Sequence, residues 1–471
     1  MKTSSAGTGC VSPWKSWIAD PGKGAITMEK KRDKVLLDTE RLIPTYFRLS
    51  LPVVLSSIVT IVYNLADTYF IARTGNALLI AGVSLCAPIF MILMAFGNLF
   101  GQGGSSLVSR LLGQEKKETA ARVSAFCFWI ALIVGAVLGG LLLLFREPFL
   151  LLLGASPDTL PYASAYGTVM LLGAPLVVLN FIHMNLLRCE GMSGLSMAGT
   201  VLGSVVNIIL DPLLIPLLGA EGAAIATLAG YFSTDLFLLI IVLRRSRALS
   251  VRFTLRIEGA LLKDILFIGV TAAITNIAGS VCTILLNQKL LVYGDVRIAA
   301  MGIAHKVTMI VQMILIGFSF GGVPLFGFLS GAGEKQKVRR LLRFCLLFLC
   351  AVTLSMTLAI CLAADPLLRL LTPDGELVRL GIPMLRWQTA GSVFAGVVML
   401  MTCLCQAAGK ALPSLLLSLS RQGIVFVLVL LIAAGAAGYT GVLISQFAAD
   451  VVSALLALGI LWKCFPQKGE T

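Results

Sequence analysis

Charge is scarce in this sequence. Only 13% of its 471 residues are Asp, Glu, Lys or Arg, while 58% are hydrophobic and the mean hydropathy is +0.95. That balance excludes a soluble globular protein of this size and reads as a chain of membrane spans. Histidines number two, His183 and His305, far apart and without a carboxylate cluster, so no metal centre is implied. The eleven cysteines are scattered, and Cys403 and Cys405 stand two apart, which is neither a zinc nor a redox spacing. Small apolar packing is the role expected of them. No Gly-Lys-Ser/Thr follows the glycines, so there is no phosphate loop and no ATP motor. Residues 1–27 lack an apolar run, which excludes a signal peptide.

Long apolar runs fill the rest. Twelve spans fit at about 45–73, 78–111, 121–145, 161–189, 193–217, 222–244, 260–292, 299–331, 339–363, 378–407, 411–435 and 439–463, each near the 20 residues a tilted helix needs. The expected class is an all-α membrane protein. The net charge of +14 comes from basic clusters between spans: Lys30, Lys31, Arg32 and Lys34; Arg110, Lys116, Lys117 and Arg122; Arg244, Arg245, Arg247, Arg252 and Arg256; Lys335, Lys337, Arg339, Arg340 and Arg343. They alternate with poor loops, which places both termini in the cytoplasm. Basic and aromatic residues are not interleaved into a nucleic-acid face.

The chain repeats. Gly101-Gln-Gly-Gly with Leu112-Gly-Gln-Glu-Lys-Lys matches Gly321-Gly-Val-Pro with Ala332-Gly-Glu-Lys-Gln-Lys, and Arg188-Cys-Glu-Gly191 matches Gln406-Ala-Ala-Gly409, an offset of about 220. On that offset Asn287 stands where Asp67 stands. Six spans per half make two parallel lobes related by a pseudo-two-fold axis along the membrane normal. The expected division is an N-terminal cytoplasmic, disordered segment at 1–40, a first lobe at 41–244 and a linker at 245–259. A second lobe at 260–464 and a cytoplasmic tail at 465–471 complete it.

Chemistry concentrates between Gly203 and Thr227. Asn207 and Asp211 are four residues apart and share a helix face. Pro212 leaves the Ile208 carbonyl without its helical donor. One stripe thus offers an amide, a carboxylate and a free carbonyl, the oxygen ligands hard cations take; a buried carboxylate can equally carry a proton. Asp67, Asp211 and Thr227 all lie roughly 8–10 Å below the outer end of their spans at 1.5 Å per residue. The plainer reading, Asp211 ending a helix at a proline bend and Asp67 sitting at the interface, does not account for the common depth. An ionisable group in hydrocarbon is a functional candidate by default. In the second half, Asp450 is the carboxylate well inside a span, and His305, beside Lys306, is a candidate for substrate binding or pH sensing. Asp235 reads as polar packing and Glu190 as an ion pair with Arg188.

These motifs together resemble the multidrug and toxic compound extrusion (MATE) family, in its bacterial multidrug-export branch, over about residues 41–463. The resemblance rests on Asp67 in its span, GxGG…LGQ at 101–114, Arg188-x-x-Gly191, Asn207-Ile-Ile-Leu-Asp211-Pro212, Gly222-Ala-Ala-Ile-Ala-Thr227 and Gln406-x-x-Gly409-Lys410. It implies two lobes around a V-shaped cavity in a bacterial inner membrane. The implied activity is antiport of organic cations or amphiphilic drugs against H+ or Na+, and no catalysis. The family's first-lobe cation site maps to Asp67, Asn207, Asp211 and Thr227. The sodium-coupled branch has a carboxylate in its seventh span, and this chain has none there, which favours a first-lobe site. Expected partners are the small-molecule substrate and membrane lipid, with no nucleic acid, no ATP, no cofactor and no metal beyond a Na+ at that site; the chain is expected to work as a monomer. The alternative function is a flippase for a lipid-linked precursor. That calls for cations inside the spans, where only Lys306, Arg386 and Arg421 come near.

The charge pattern makes a direct prediction. Tags placed at Met28 and at Thr471 should both be inaccessible from outside intact cells; accessibility of either overturns the twelve-span arrangement.

Overall fold

The computed structural model describes residues 41–464, and the expectations for 1–40 and 465–471 lie outside them. In chain order the helices are α1 (Leu42–Arg73), α2 (Ala77–Leu85), α3 (Ala87–Gly113), α4 (Lys117–Leu144), α5 (Arg146–Leu152), α6 (Leu160–Leu172), α7 (Ala174–Cys189), α8 (Ser193–Leu218), α9 (Ala220–Arg245), α10 (Gly259–Leu291), α11 (Asp295–Gly321), α12 (Val323–Gly331), α13 (Lys335–Leu362), α14 (Ala364–Leu371), α15 (Gly375–Ala407), α16 (Ala411–Arg421) and α17 (Ile424–Cys464). Several spans are broken, at places the sequence explains. Pro88, Pro175 and Pro324 stand in the first turn of α3, α7 and α12, where a missing N–H costs nothing inside the new helix but interrupts the old one. The sharpest break bends α6 against α7 by 54°.

By length and apolarity ten helices can cross a membrane, and α6 with α7 makes an eleventh. The twelfth is hidden in the 51-residue stretch Ala411–Leu461, which turns at Gly438 (φ 56°, ψ −130°). Gly219, between α8 and α9, has nearly the same dihedrals (φ 58°, ψ −126°). Other left-handed residues pair in the same way: Gly75 with Gly294, Glu115 with Gly333, Gly191 with Gly409. The repeat is therefore written in the backbone, with an offset of 218–219 rather than 220. That corrects one correspondence: the Gly75–Gly294 pair, close by in sequence, sets Asp67 against Leu286, and Asn287 lies one residue further on.

The fold is twelve spans in two six-helix lobes. In the first, α3 packs on α7 and α4, and α8 on α9; in the second, α15 packs on α11, α13 and α17. The lobes meet through α1 against α11 and α3 against α10 and α12. These contacts need glycine. A Cβ on Gly113 would overlap the Phe328 carbonyl, and one on Gly331 would overlap the Arg110 carbonyl, a reciprocal pair across the pseudo-two-fold axis. Gly269 abuts the Leu99 carbonyl and Gly321 the Ser50 backbone. Ser106 donates to the Gln406 carbonyl, Tyr46 to the Phe318 carbonyl at 2.9 Å, and Arg110 pairs with Asp264 at 3.2 Å. All of these contacts lie toward the end that carries the basic loops. Toward the other end α1 comes into the open: Tyr46 and Leu49 are fully buried, but Val62, Leu65 and Tyr69 are 54–63% exposed. On α10, Ile277, Val281 and Ile284 are exposed as well. The lobes are closed at the basic-loop end and part at the other.

The linker is tied to the first lobe. Glu190 accepts the Arg247 and Ala248 amides at 2.7 and 3.2 Å and the Ser246 hydroxyl, so it serves the linker rather than Arg188. Trp129 donates to the Val251 carbonyl at 3.1 Å, and Ser250 donates its amide to Ser124 at 2.8 Å.

Gly269→Ala should push α10 off α3. Overpacking of this kind costs about 1–3 kcal/mol, charged here to the closed arrangement. Spin labels on the basic loops of the two lobes should report a longer mean distance than in the parent; an unchanged distance distribution contradicts the glycine-dependent closure.

Candidate functional site

The close approach of α8 and α9 builds the site. Gly203 and Gly230 face each other with no room for a Cβ on either, and Thr234 donates across to the Gly199 carbonyl at 3.0 Å. Further out, Gly222 lies against the Leu214 carbonyl. This locks the two helices together along the stretch that carries Asn207 and Asp211 on α8 and Thr227 on α9. α1 packs on α8 and brings Asp67 to the same region.

Asp211 is fully buried, Asn207 is 2% exposed and Thr227 9%. Asn207 donates from Nδ2 to Asp211 Oδ1 at 3.2 Å. Thr227 donates its proton to the Ala223 carbonyl at 3.0 Å, so its oxygen faces any further partner as an acceptor. Three buried acceptor oxygens then have no hydrogen-bond partner: Asp67 Oδ1, Asn207 Oδ1 and Asp211 Oδ2. The Asp67 and Asp211 carboxylates are close enough for their charges to interact. Unpaired oxygens of this kind are rare in a folded interior, and together they suit a cation or a proton. Among the described residues no group of three or more His, Cys, Asp or Glu could hold a metal ion.

Three tyrosines complete the surroundings, and sequence reasoning passed over them. Tyr63, one turn before Asp67 on α1, lies near Tyr231 of α9. Tyr166 of α6 reaches Thr227 and faces Asp67. The i, i+4 spacings of Tyr63 to Asp67 and of Thr227 to Tyr231 were the available signal.

The other candidates lie elsewhere. His305 and Lys306 are exposed on α11. Asp450 of α17 is 2% exposed and bonded to Arg421 of α16, itself 7% exposed, at 3.1 Å. Gln446 donates to the same Asp450 oxygen at 3.2 Å, and Arg421 also donates to Gln312 Oε1 at 3.1 Å. Asp450 is thus neutralised within the second lobe.

A two-lobed bundle of helical spans, parted at one end, with unpaired oxygens buried in one lobe, is the architecture of a membrane transporter. The MatE family model matches this chain twice, at residues 52–213 and 271–431, two copies whose starts differ by 219 residues. The chain belongs to the MatE family. It is 31% identical over 416 residues to the multidrug export protein MepA of Staphylococcus saprophyticus, covering 88% of this chain and 92% of that one. To the MepA of Staphylococcus haemolyticus it is 30% identical, with the same coverage. Among solved structures it superposes on a multidrug resistance MATE family transporter of the MOP superfamily in an outward-facing conformation. The TM-score is 0.84 at 26% identity, covering 93% of this chain and 99% of that one. A MOP superfamily transporter from Pyrococcus furiosus, whose binding pocket is described as reversed in polarity, matches with a TM-score of 0.84 at 25% identity, covering 90% and 96%.

Removing one member of a buried ion pair strands the other charge. Arg421→Ala should therefore destabilise the protein by about 3–5 kcal/mol, whereas Arg421→Met with Asp450→Leu should recover most of that loss. Thermal unfolding in detergent reads both; equal losses in the single and double variants contradict the pairing.

Proposed function

We propose that this protein exports organic cations and amphiphilic drugs across a bacterial inner membrane, in exchange for H+ or Na+ taken up in the first lobe. The names of its relatives support the export of many drugs. The observation that carries the coupling is the set of unpartnered oxygens on Asp67, Asn207 and Asp211, gathered beside Thr227. Both the proton and Na+ suit that chemistry: a carboxylate pair can share a proton, and neutral and charged oxygens together suit a hard cation.

On this reading the basic-loop end is cytoplasmic, so the lobes stand closed inward and parted outward. An ion entering from outside reaches Asp67 and Asp211, favours substrate release and return, and leaves once the cleft opens inward. Such coupling requires the ion to bind the two arrangements unequally. Asp67 sits on α1, the helix that also forms the contact with the second lobe, so neutralising it acts on an element whose surroundings differ between the two arrangements. The protein works as a monomer in lipid, without ATP. The flippase alternative loses ground at Arg421, because that guanidinium is bonded to Asp450 and Gln312.

Purified protein in proteoliposomes, with a proton or a sodium gradient imposed in turn, tests this. Asp67→Asn and Asp211→Asn should each abolish gradient-driven efflux of a cationic dye while leaving dye binding intact. Thr227→Ala should reduce it less, since a hydroxyl contributes one neutral ligand. Normal export by both carboxylate variants, with the usual ion dependence, defeats the coupling reading.

A further inference from the structure

The first lobe holds a second buried titratable cluster, separate from the Asp67–Asp211 site and nearer the basic-loop end of α9. Asp235 of α9 and His183 of α7 are 4% and 3% exposed. His183 Nδ1 stands 3.7 Å from Asp235 Oδ1, at ion-pair range but beyond a hydrogen bond. Asn180, one turn before His183, donates to the same Asp235 oxygen at 3.2 Å. Both ring nitrogens of His183 and Oδ2 of Asp235 have no hydrogen-bond partner. The Phe128 ring covers the imidazole, with ring centres 5.4 Å apart. Burying three polar atoms without partners, under an aromatic lid, is costly for packing alone.

The two clusters are connected. Tyr231 stands one turn before Asp235 on α9, and Tyr63 of α1 is close enough to it for their charges to interact. Tyr63 in turn faces Asp67 and Asp211. Tyr231 is held in place by stacking on Phe90, centroids 6.3 Å apart. A run of ionisable and hydroxyl groups thus leads from the outward-parted side into the lobe: Asp67 and Asp211, Tyr63, Tyr231, Asp235, His183.

We propose that His183 and Asp235 form a second proton-binding site of the first lobe, filled from the Asp67–Asp211 site by way of Tyr63 and Tyr231. The proposal rests on the cation-coupling reading of that lobe. The charge arithmetic favours it. With neutral imidazole and ionised carboxylate the pair carries one negative charge in hydrocarbon; one added proton makes it neutral, whether as imidazolium with carboxylate or as imidazole with carboxylic acid. A hydroxyl passes a proton by accepting one on its oxygen and releasing its own, so Tyr63 and Tyr231 end as they began.

No other charge competes for the histidine among the described residues. From α9 it faces Asp235 and, one turn on, Tyr231. From α4 it meets the Phe128 ring, while the neighbouring Cys127 thiol points at Gly104 of α3; the charged residues of α4, Lys117, Glu118 and Arg122, stand in its first two turns at the basic-loop end. The charged residue of α3 is Arg110, at the basic-loop end, and α8 carries Asp211, near its other end. On α7 itself, Arg188 lies beside Gln102, Ser105 and Gln406, between the lobes. α6 contributes Tyr166, beside Thr227, and Tyr162, bonded to Asn76; α12 has no ionisable side chain.

The chain has two histidines, so a nitrogen-15 histidine-labelled sample in detergent gives two imidazole signals, and His305→Gln serves to assign them. Spectra are recorded across a pH series, and the parent should show a protonated His183 signal within it. In Asp235→Asn the protonated signal should be lost at the pH values where the parent shows it. In liposomes, Tyr231→Phe should keep dye binding and slow proton-driven efflux several-fold, and Asp235→Asn should alter the pH profile of that efflux. A neutral imidazole throughout the range, or a titration untouched by Asp235→Asn, overturns the proposal. Titration of His183 alongside normal export by Asp67→Asn and Asp211→Asn would defeat the coupling reading and leave the second proton site standing, so the two failures are told apart.

Discussion

Hydrocarbon gives a buried polar atom nothing to bond to, so the protein must either satisfy each such atom itself or leave it for a ligand. The four carboxylates within the spans meet that constraint to different degrees. Asp450 is held by a fixed opposite charge, with Arg421 and Gln446 both on one oxygen. Asp235 is half committed, to Asn180, with His183 near. Asp211 has one oxygen on Asn207 and one on nothing, and Asp67 keeps an oxygen unpaired. The gradation sorts structural from exchangeable sites without reference to any relative, because an atom with no protein partner is one a ligand can occupy without first breaking a bond.

The second constraint is steric and serves motion. Where the lobes touch, glycine lets backbone meet backbone, as at Gly113 with Phe328 and Gly331 with Arg110. Such contacts carry few ionic bonds: Arg110 with Asp264 is the cross-lobe salt bridge among the described residues, and Asp264 is half exposed. An interface of close dispersion contacts and a few hydrogen bonds can part and re-form at modest cost, which a two-state transporter requires. Ion pairs buried in the same place would hold it shut.

Much of this could be read from the residues. Hydropathy located all twelve spans to within a few residues, because lipid solvation acts on each segment locally. The shared face of Asn207 and Asp211 followed from helix geometry alone. The repeat was visible but its register was not: matching letters around Gly101 and Gly321 gave an offset one residue too long, whereas Gly219 and Gly438 fix it through backbone dihedrals that no letter displays. Glu190 was assigned to its sequence neighbour Arg188 when its partners are the amides of a linker more than fifty residues away. His183 and Asp235 were each visible, but nothing in a sequence sets an α7 residue beside an α9 residue. Tertiary pairing of that kind depends on how α6 and α7 bend at Pro175.

The corrected register shows where the two halves part company. The same offset that carries Gly219 onto Gly438 carries Asn207 onto Phe426 and Asp211 onto Leu430, both 1% exposed and packed in the apolar core of the second lobe. It carries Tyr231 onto Asp450 and Thr227 onto Gln446, which are bonded to each other, Asp450 also to Arg421. The second lobe therefore repeats the backbone of the first but fills its oxygen site with hydrocarbon and neutralises its carboxylate with a fixed guanidinium. A cation would have to displace Arg421 to bind there, and would leave that charge stranded. With equal frames and unequal polar content, the proposed coupling would deliver the energy of ion binding to one lobe only. A rocking motion between two otherwise equivalent halves then acquires a direction, set by which of them can change its charge.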